Sequence, residues 1–205
     1  MNKHHSIDMT LKTLRHYADN PLSFWEGTKN HNVSQNINAL LRQIEGNAPY
    51  NILDFGCGPG RDLKTFKKLG QNAYGLEGCE EFCRMAFQYS GCEVYQQNFI
   101  DINLTPQFYD GIFANASLFH VPKDDLSDLM SRLRNSLKKR GVLFSSNPRG
   151  NGESLDGTRY ANFMEIDEYK AIVEEVGFEL IDHYYRPQGQ PVENCPWLAC
   201  IFRKI

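Results

Sequence analysis

The run Asp54-Phe-Gly-Cys-Gly-Pro-Gly60 constrains this chain more than any other feature. It follows the apolar segment Asn51-Ile-Leu-Asp-Phe55 and precedes a stretch with helical spacing that starts at Asp62. Glycine lacks a β-carbon, so Gly56, Gly58 and Gly60 let the chain turn tightly and let its backbone approach a ligand. A strand, a glycine loop and a helix in this order belong to sheets that bind ligands at the carboxyl ends of their strands. Glu77 lies 23 residues beyond Asp54, at the end of the next apolar run, where a carboxylate can accept ribose hydroxyls.

The flanking pattern agrees. The sequence predicts strands at 51–55, 73–77, 92–97, 110–115, 141–146, 178–185 and 197–202. Helices are predicted at 62–69, 80–89, 124–139 and 166–176, the last stopped by Gly177. Leu126, Leu129, Met130, Leu133 and Leu137 set the period of the third helix, which makes Lys138, Lys139 and Arg140 cations at its C-terminus. Alternating strands and helices imply an α/β fold with a doubly wound, mostly parallel, seven-stranded sheet. The connection Pro187-Gln-Gly-Gln-Pro191 is too poor in helix formers for a parallel crossover, so the last strand is expected to run antiparallel. Residues 1–48 form an arm, helical from about Val33 to Glu45, ahead of a core at 49–205, all in one structural domain.

Composition narrows the partners. The formal charge is −3 and no basic surface cluster is evident beyond the 138–140 run, which argues against nucleic acid. No segment approaches the roughly 18 apolar residues of a membrane span. The polar start Met1–Thr10 does not read as a secretory signal. Six cysteines without paired C-x-x-C spacing suit a reduced cytoplasm, and Cys79 and Cys83 read as small buried groups, with no metal expected.

Two ligand classes fit a glycine loop of this kind. Dinucleotide sites use G-x-G-x-x-G, whereas this loop reads G-x-G-x-G behind an acid. Asp54 would oppose a diphosphate but suits a cation. The loop resembles motif I of class I methyltransferases, which bind S-adenosylmethionine through its cationic sulfonium and ammonium. Further strings narrow the likeness: Phe24-Trp-Glu-Gly-Thr-Lys-Asn-His-Asn-Val-Ser-Gln-Asn36, Asp110-Gly-Ile-Phe-Ala-Asn-Ala-Ser-Leu-Phe-His-Val-Pro122, Leu143-Phe-Ser-Ser-Asn-Pro-Arg-Gly150, His183-Tyr-Tyr-Arg-Pro187 and Pro196-Trp-Leu-Ala199. With these the whole chain resembles the methyltransferases of ovothiol biosynthesis, which also occur as the C-terminal domain of 5-histidylcysteine sulfoxide synthase. It departs from them at Lys29-Asn-His-Asn32, where a basic residue, Asp, His, Asp is expected, and at Asn98, where an acid commonly faces the adenine amine. Asn98 keeps an acceptor oxygen for that role.

The resemblance implies methyl transfer from S-adenosylmethionine to a ring nitrogen of 5-thiohistidine, a small-molecule acceptor. S- or O-methylation of another small acid, or a non-catalytic cofactor-binding module, are the alternatives. The implied cofactor residues are Asp54, Gly56, Cys57, Gly58, Gly60, Glu77, Gly78, Asn98, Phe99 and Asn115, with Tyr17, Trp25 and Thr28 from an arm that resembles a lid. His120, beyond the fourth strand, is the candidate to orient the acceptor ring or take its proton, against a structural role. His31, Asn147, Arg149, Arg159, Tyr160, Tyr184 and Arg186 are candidate acceptor contacts. The arginines are placed to hold an amino-acid carboxylate, and the tyrosines to line the ring pocket or to pack.

Overall fold

The computed structural model describes residues 3–156 and 159–205; Met1 and Asn2 of the predicted arm lie outside the described residues. Seven strands form one sheet: β1 (Asn51–Phe55), β2 (Asn72–Glu77), β3 (Glu93–Gln96), β4 (Tyr109–Asn115), β5 (Leu137–Pro148), β8 (Phe178–Arg186) and β9 (Trp197–Lys204). Their order is β3-β2-β1-β4-β5-β9-β8. The pairs β1–β2, β1–β4, β2–β3 and β4–β5 are parallel, and β9 runs antiparallel to both β5 and β8. The predicted fold class, with its reversed last strand, is therefore the one observed.

Burial explains the layout. Ile52, Leu53, Phe55, Ile112, Phe113, Leu143 and Phe144 have no exposed surface, as expected of central strands covered by helices on both faces. On one face α6 (Lys123–Ser136) buries Leu126, Leu129, Met130 and Leu133, and α7 (Ile166–Glu175) buries Tyr169 and Val173. On the other, α3 (Ser34–Leu41) buries Ile37 and Leu40, α4 (Arg61–Lys68) buries Leu63 and Phe66, and α5 (Glu80–Ser90) buries Phe82 and Ala86. Strand order reverses between β1 and β4, which makes the carboxyl ends of these strands the site for a ligand. No helix among the described residues is long and apolar enough to cross a membrane.

Three features correct the sequence expectations. The helix expected to run to residue 139 ends at Ser136, whose hydroxyl bonds the Leu133 carbonyl. Leu137 continues the leucine period but pairs with Tyr109 at the start of β5, and Lys138 reaches Asp110 at 2.8 Å. The 138–140 run is therefore extended chain; Arg140 has φ +60° and forks onto Glu45. The arm holds two helices besides α3 (34–41, shorter than the predicted 33–45): α1 (Lys3–Asp19) and α2 (Pro21–Thr28). Periodicity misses α1 because it turns Ser6, Thr10 and Thr13 inward while Leu11 is 54% exposed. The two buried threonine hydroxyls bond the Ser6 and Met9 carbonyls one turn back, so they cost little. Finally, a hairpin of β6 (Gly152–Asp156) and β7 (Arg159–Phe163) stands outside the main sheet, where no element is predicted.

Candidate active site

The glycine loop is fixed from both sides. Gly56 N and Cys57 N donate to the Leu76 carbonyl at 2.8 and 3.1 Å, which pins the loop to β2. Gly56 has φ +75°, and a β-carbon there would stand 2.4 Å from Ser117 Cβ. Gly60 has φ +91°, and its β-carbon would meet Ala86 Cα at 2.8 Å, so its absence lets α4 lie against α5. Neither position admits a side chain.

Glu77 is 7% exposed, and its carboxylate is held by the loop. Oε2 accepts from Gly58 N at 3.0 Å; Oε1 accepts from Gly78 N and Cys79 N at 2.8 and 2.9 Å. Three of its roughly four lone-pair sites are thus taken by backbone, which leaves one on Oε2 for a ligand. Burial pushes the carboxyl above its usual range, and these three N–H groups pull against it. Asp54 lies behind the loop, 2% exposed, and its Oδ2 has no hydrogen-bond partner. Burial, then the neighbouring Asp62, pushes its carboxyl well above the usual range, and the Arg61 cation opposes them.

Two cavities open over this edge of the sheet. The first is bounded by α1 through Thr10, Thr13, Leu14 and Tyr17 and by Gly56, Gly58, Glu77, Gly78, Asn98, Phe99, Ser117 and His120. The second, wider and open to solvent, contains Trp25, Thr28, His31, Cys57, Asn115, Arg159, Arg186 and Trp197. They meet at Tyr17, Phe24, Gly56, Gly58 and Ala116. The predicted cofactor residues therefore divide between two adjoining spaces, with Asp54 and Gly60 behind them. Asn98 Oδ1 already accepts from Ile100 N at 3.2 Å, and Phe99 packs against Phe55 with ring centroids 4.4 Å apart.

The predicted acceptor residues divide as well. His31, Arg159 and Arg186 line the second cavity; Asn147, Arg149, Tyr160 and Tyr184 line neither. Arg149 grips Glu165, donates to the Val192 carbonyl at 2.6 Å and lies over the Tyr185 ring. It holds the connection between β8 and β9. Tyr184 donates to Asn36 Oδ1, Asn36 to Asn115 Oδ1 and Asn115 to Asp62 Oδ2, while Arg61 forks onto Asp62 and reaches the Thr28 carbonyl. This chain ties α2 and α3 to the start of α4. Asn36 ends the string that begins at Phe24, and Arg61 and Asp62 directly follow the glycine loop, but nothing local in the sequence marks them as connected. Tyr160 is a core residue: its hydroxyl bonds Glu153 and takes the Lys123 N–H.

His120 is 8% exposed, and both ring nitrogens are engaged. Nδ1 lies 2.7 Å from the Tyr160 carbonyl, which can only accept, so Nδ1 carries the proton. Nε2 then accepts from the Tyr17 hydroxyl at 2.7 Å. Burial first, with Arg159 nearby, lowers its pKa from the ordinary 6.5 to about 4, opposed by the Tyr160 carbonyl. Between about pH 6.5 and 4 the unfolded histidine binds a proton that the folded one refuses. Stability therefore falls as pH drops through that window, by about 3 kcal/mol in all. In denaturant titrations from pH 7 to 4 the stability difference between wild type and His120→Gln should shrink by that amount. Parallel pH dependences for the two proteins would show that His120 is not held neutral.

Comparison with known proteins agrees with this topology. The methyltransferase-domain family matches residues 53–145. The 24-methylenesterol C-methyltransferase 2 of Oryza sativa subsp. japonica is 25% identical over 183 residues, 76% of this chain and 47% of that protein. The trans-aconitate 2-methyltransferase of Rhodopseudomonas palustris (strain BisB5) is 30% identical over 133 residues, 62% of this chain and 48% of that protein. The chain thus spans about half the length of these two relatives. Among solved structures, the Burkholderia thailandensis 1,6-didemethyltoxoflavin-N1-methyltransferase, with 1,6-didemethyltoxoflavin and S-adenosylhomocysteine bound, superposes with a TM-score of 0.76 at 18% identity, covering 100% of this chain and 91% of that one. The DhpI–SAH complex gives 0.73 at 19% identity, covering 97% and 98%. With the family match running from β1 into β5 on a sheet of this order, the chain has the Rossmann-like fold of methyltransferases.

Proposed function

We propose that this chain transfers the methyl group of S-adenosylmethionine to a ring nitrogen of a small anionic imidazole, with 5-thiohistidine as the acceptor. The observation that carries the reading is a separation of charge between adjoining cavities. The first contains the carboxylate of Glu77. The second contains Arg159 and Arg186; its other charged pair, Arg61 and Asp62, is mutually neutralised. One space suits a cationic cofactor, the other an acceptor with a carboxylate.

The residues present fit the cofactor. Glu77 has one lone-pair site left for a ribose hydroxyl, and Gly58 has no side chain to intrude between it and the cavity. The unpartnered Oδ2 of Asp54 suits a nearby ammonium. Asn98 and Phe99, in the first cavity, would flank the adenine, and Trp25 and Thr28 of α2, which line the second, would cover the methionine end where the two spaces adjoin. When bound, S-adenosylmethionine supplies an electrophilic methyl on sulfonium for direct displacement. The protein's task is alignment and exclusion of water, worth roughly 7–11 kcal/mol at best. A free imidazole, with pKa near 6.5, carries its lone pair at pH 7, so no dedicated base is required.

The sequence likeness to the ovothiol methyltransferases supports 5-thiohistidine in particular. O-methylation of a small polyacid is the second reading, favoured by the trans-aconitate relative and equally suited to two arginines. Incubation with S-adenosylmethionine and a panel of 5-thiohistidine, histidine and trans-aconitate, read by mass spectrometry and NMR, separates them. N-methylated 5-thiohistidine is the expected product. Turnover of trans-aconitate alone would replace this reading with the second.

A further inference from the structure

We infer that the N-terminal arm and the β6–β7 hairpin close as one unit, so that cofactor binding against α1 completes the acceptor cavity by positioning Arg159. This rests on the two-cavity reading above. The link is built around two residues, Tyr17 and Tyr160. Tyr17, on α1, donates through its hydroxyl to His120 Nε2 and lines the same cavity as Arg159. The backbone of Tyr160, next to Arg159 on β7, is held at both ends: its N–H donates to Thr13 Oγ1 on α1 at 3.0 Å, and its carbonyl accepts from His120 Nδ1. Thr13 and Tyr17 line the first cavity, Arg159 lines the second, and Tyr17 lines both.

A neutral, buried histidine with one donor and one acceptor can join these two elements because each partner fixes a different ring nitrogen. The same commitment leaves His120 no free nitrogen for the acceptor, which makes it a positioning residue. Order of binding follows: an acceptor that arrives first meets a cavity whose guanidinium is not yet fixed by the arm, so the cofactor binds first and the acceptor second.

Hydrogen exchange with S-adenosylhomocysteine tests this without any acceptor. In the wild-type protein the ligand should slow exchange in α1 and at the Tyr160 amide together, tenfold or more at the latter. Tyr17→Phe combined with Thr13→Val should keep protection in α1 and lose it in β7, and should raise the KM of the acceptor at least tenfold with a smaller change in kcat. His120→Gln, which keeps an acceptor for Tyr17 and loses the donor to Tyr160, should do the same. Protection of β7 that persists in the folded double variant, or is absent from the wild type, overturns the inference and leaves the proposed function standing. Failure of S-adenosylhomocysteine to bind at all overturns both.

Discussion

Replacing Glu77 by alanine is expected to weaken S-adenosylhomocysteine binding by about 1.5–3 kcal/mol, the scale of hydrogen bonds to a charged group. That is roughly a tenfold to hundredfold loss of affinity. The structure adds a second consequence. Oε1 and Oε2 accept three backbone N–H groups, from Gly58, Gly78 and Cys79, so their loss loosens the loop that lines the cavity as well as removing a ligand contact. Glu77→Gln separates little, because one end of an amide would face an N–H with another N–H. Both variants should therefore melt at a lower temperature than the wild type and bind more weakly at temperatures where they remain folded. Calorimetry on folded Glu77→Ala that returns the wild-type dissociation constant would remove Glu77 from the cofactor site.

The glycine loop and Glu77 are legible in the sequence because their geometry leaves few residue types to choose from. A φ of +75° with Ser117 against the missing β-carbon selects glycine at position 56. Strands β1 and β4 and the 142–146 stretch of β5 are legible because sheets covered on both faces need continuous buried runs. Helix α1 follows the opposite logic: its inward face carries Ser6, Thr10 and Thr13, so hydrophobic spacing points away from the answer. The third helix is extended too far by Leu137, whose apolar side chain satisfies a helical period and a buried strand equally well. Only the pairing with Tyr109 and the Lys138–Asp110 contact decide between them.

The same limit applies to the arginines. Arg149, Arg159 and Arg186 look alike as candidate anchors. Glu165, sixteen residues beyond Arg149 and brought back by the β6–β7 hairpin between them, removes Arg149 from the set. The partner of a charged side chain is a tertiary fact. His120 is similar: its place after β4 is readable, while the Tyr160 carbonyl that fixes its tautomer belongs to a hairpin the pattern does not announce.

Arg159→Ala and Arg186→Ala are expected to lower kcat/KM for the acceptor by on the order of a hundredfold each, and Arg149→Ala to leave it within a few-fold of wild type. The first two lose a charge-assisted contact to a carboxylate, worth roughly 1.5–3 kcal/mol, together with the orientation it imposes. Orientation matters here because the proposed acceptor, 5-thiohistidine, presents a thiolate beside its ring, and a thiolate is the stronger nucleophile. A nitrogen methylase has to hold sulfur away from the sulfonium, and two guanidinium groups in one cavity can do this by fixing both anionic ends of the molecule. Loss of either end lets the ring turn, and a misplacement of about 1 Å can cost on the order of a hundredfold in rate at the intended atom. S-methyl product should therefore appear in at least one of the two variants, measured by mass spectrometry and NMR of the products. Strict N-methylation in every active variant would mean that atom choice does not depend on these arginines. S-methylation by the wild-type enzyme would remove the nitrogen acceptor while leaving methyl transfer itself intact.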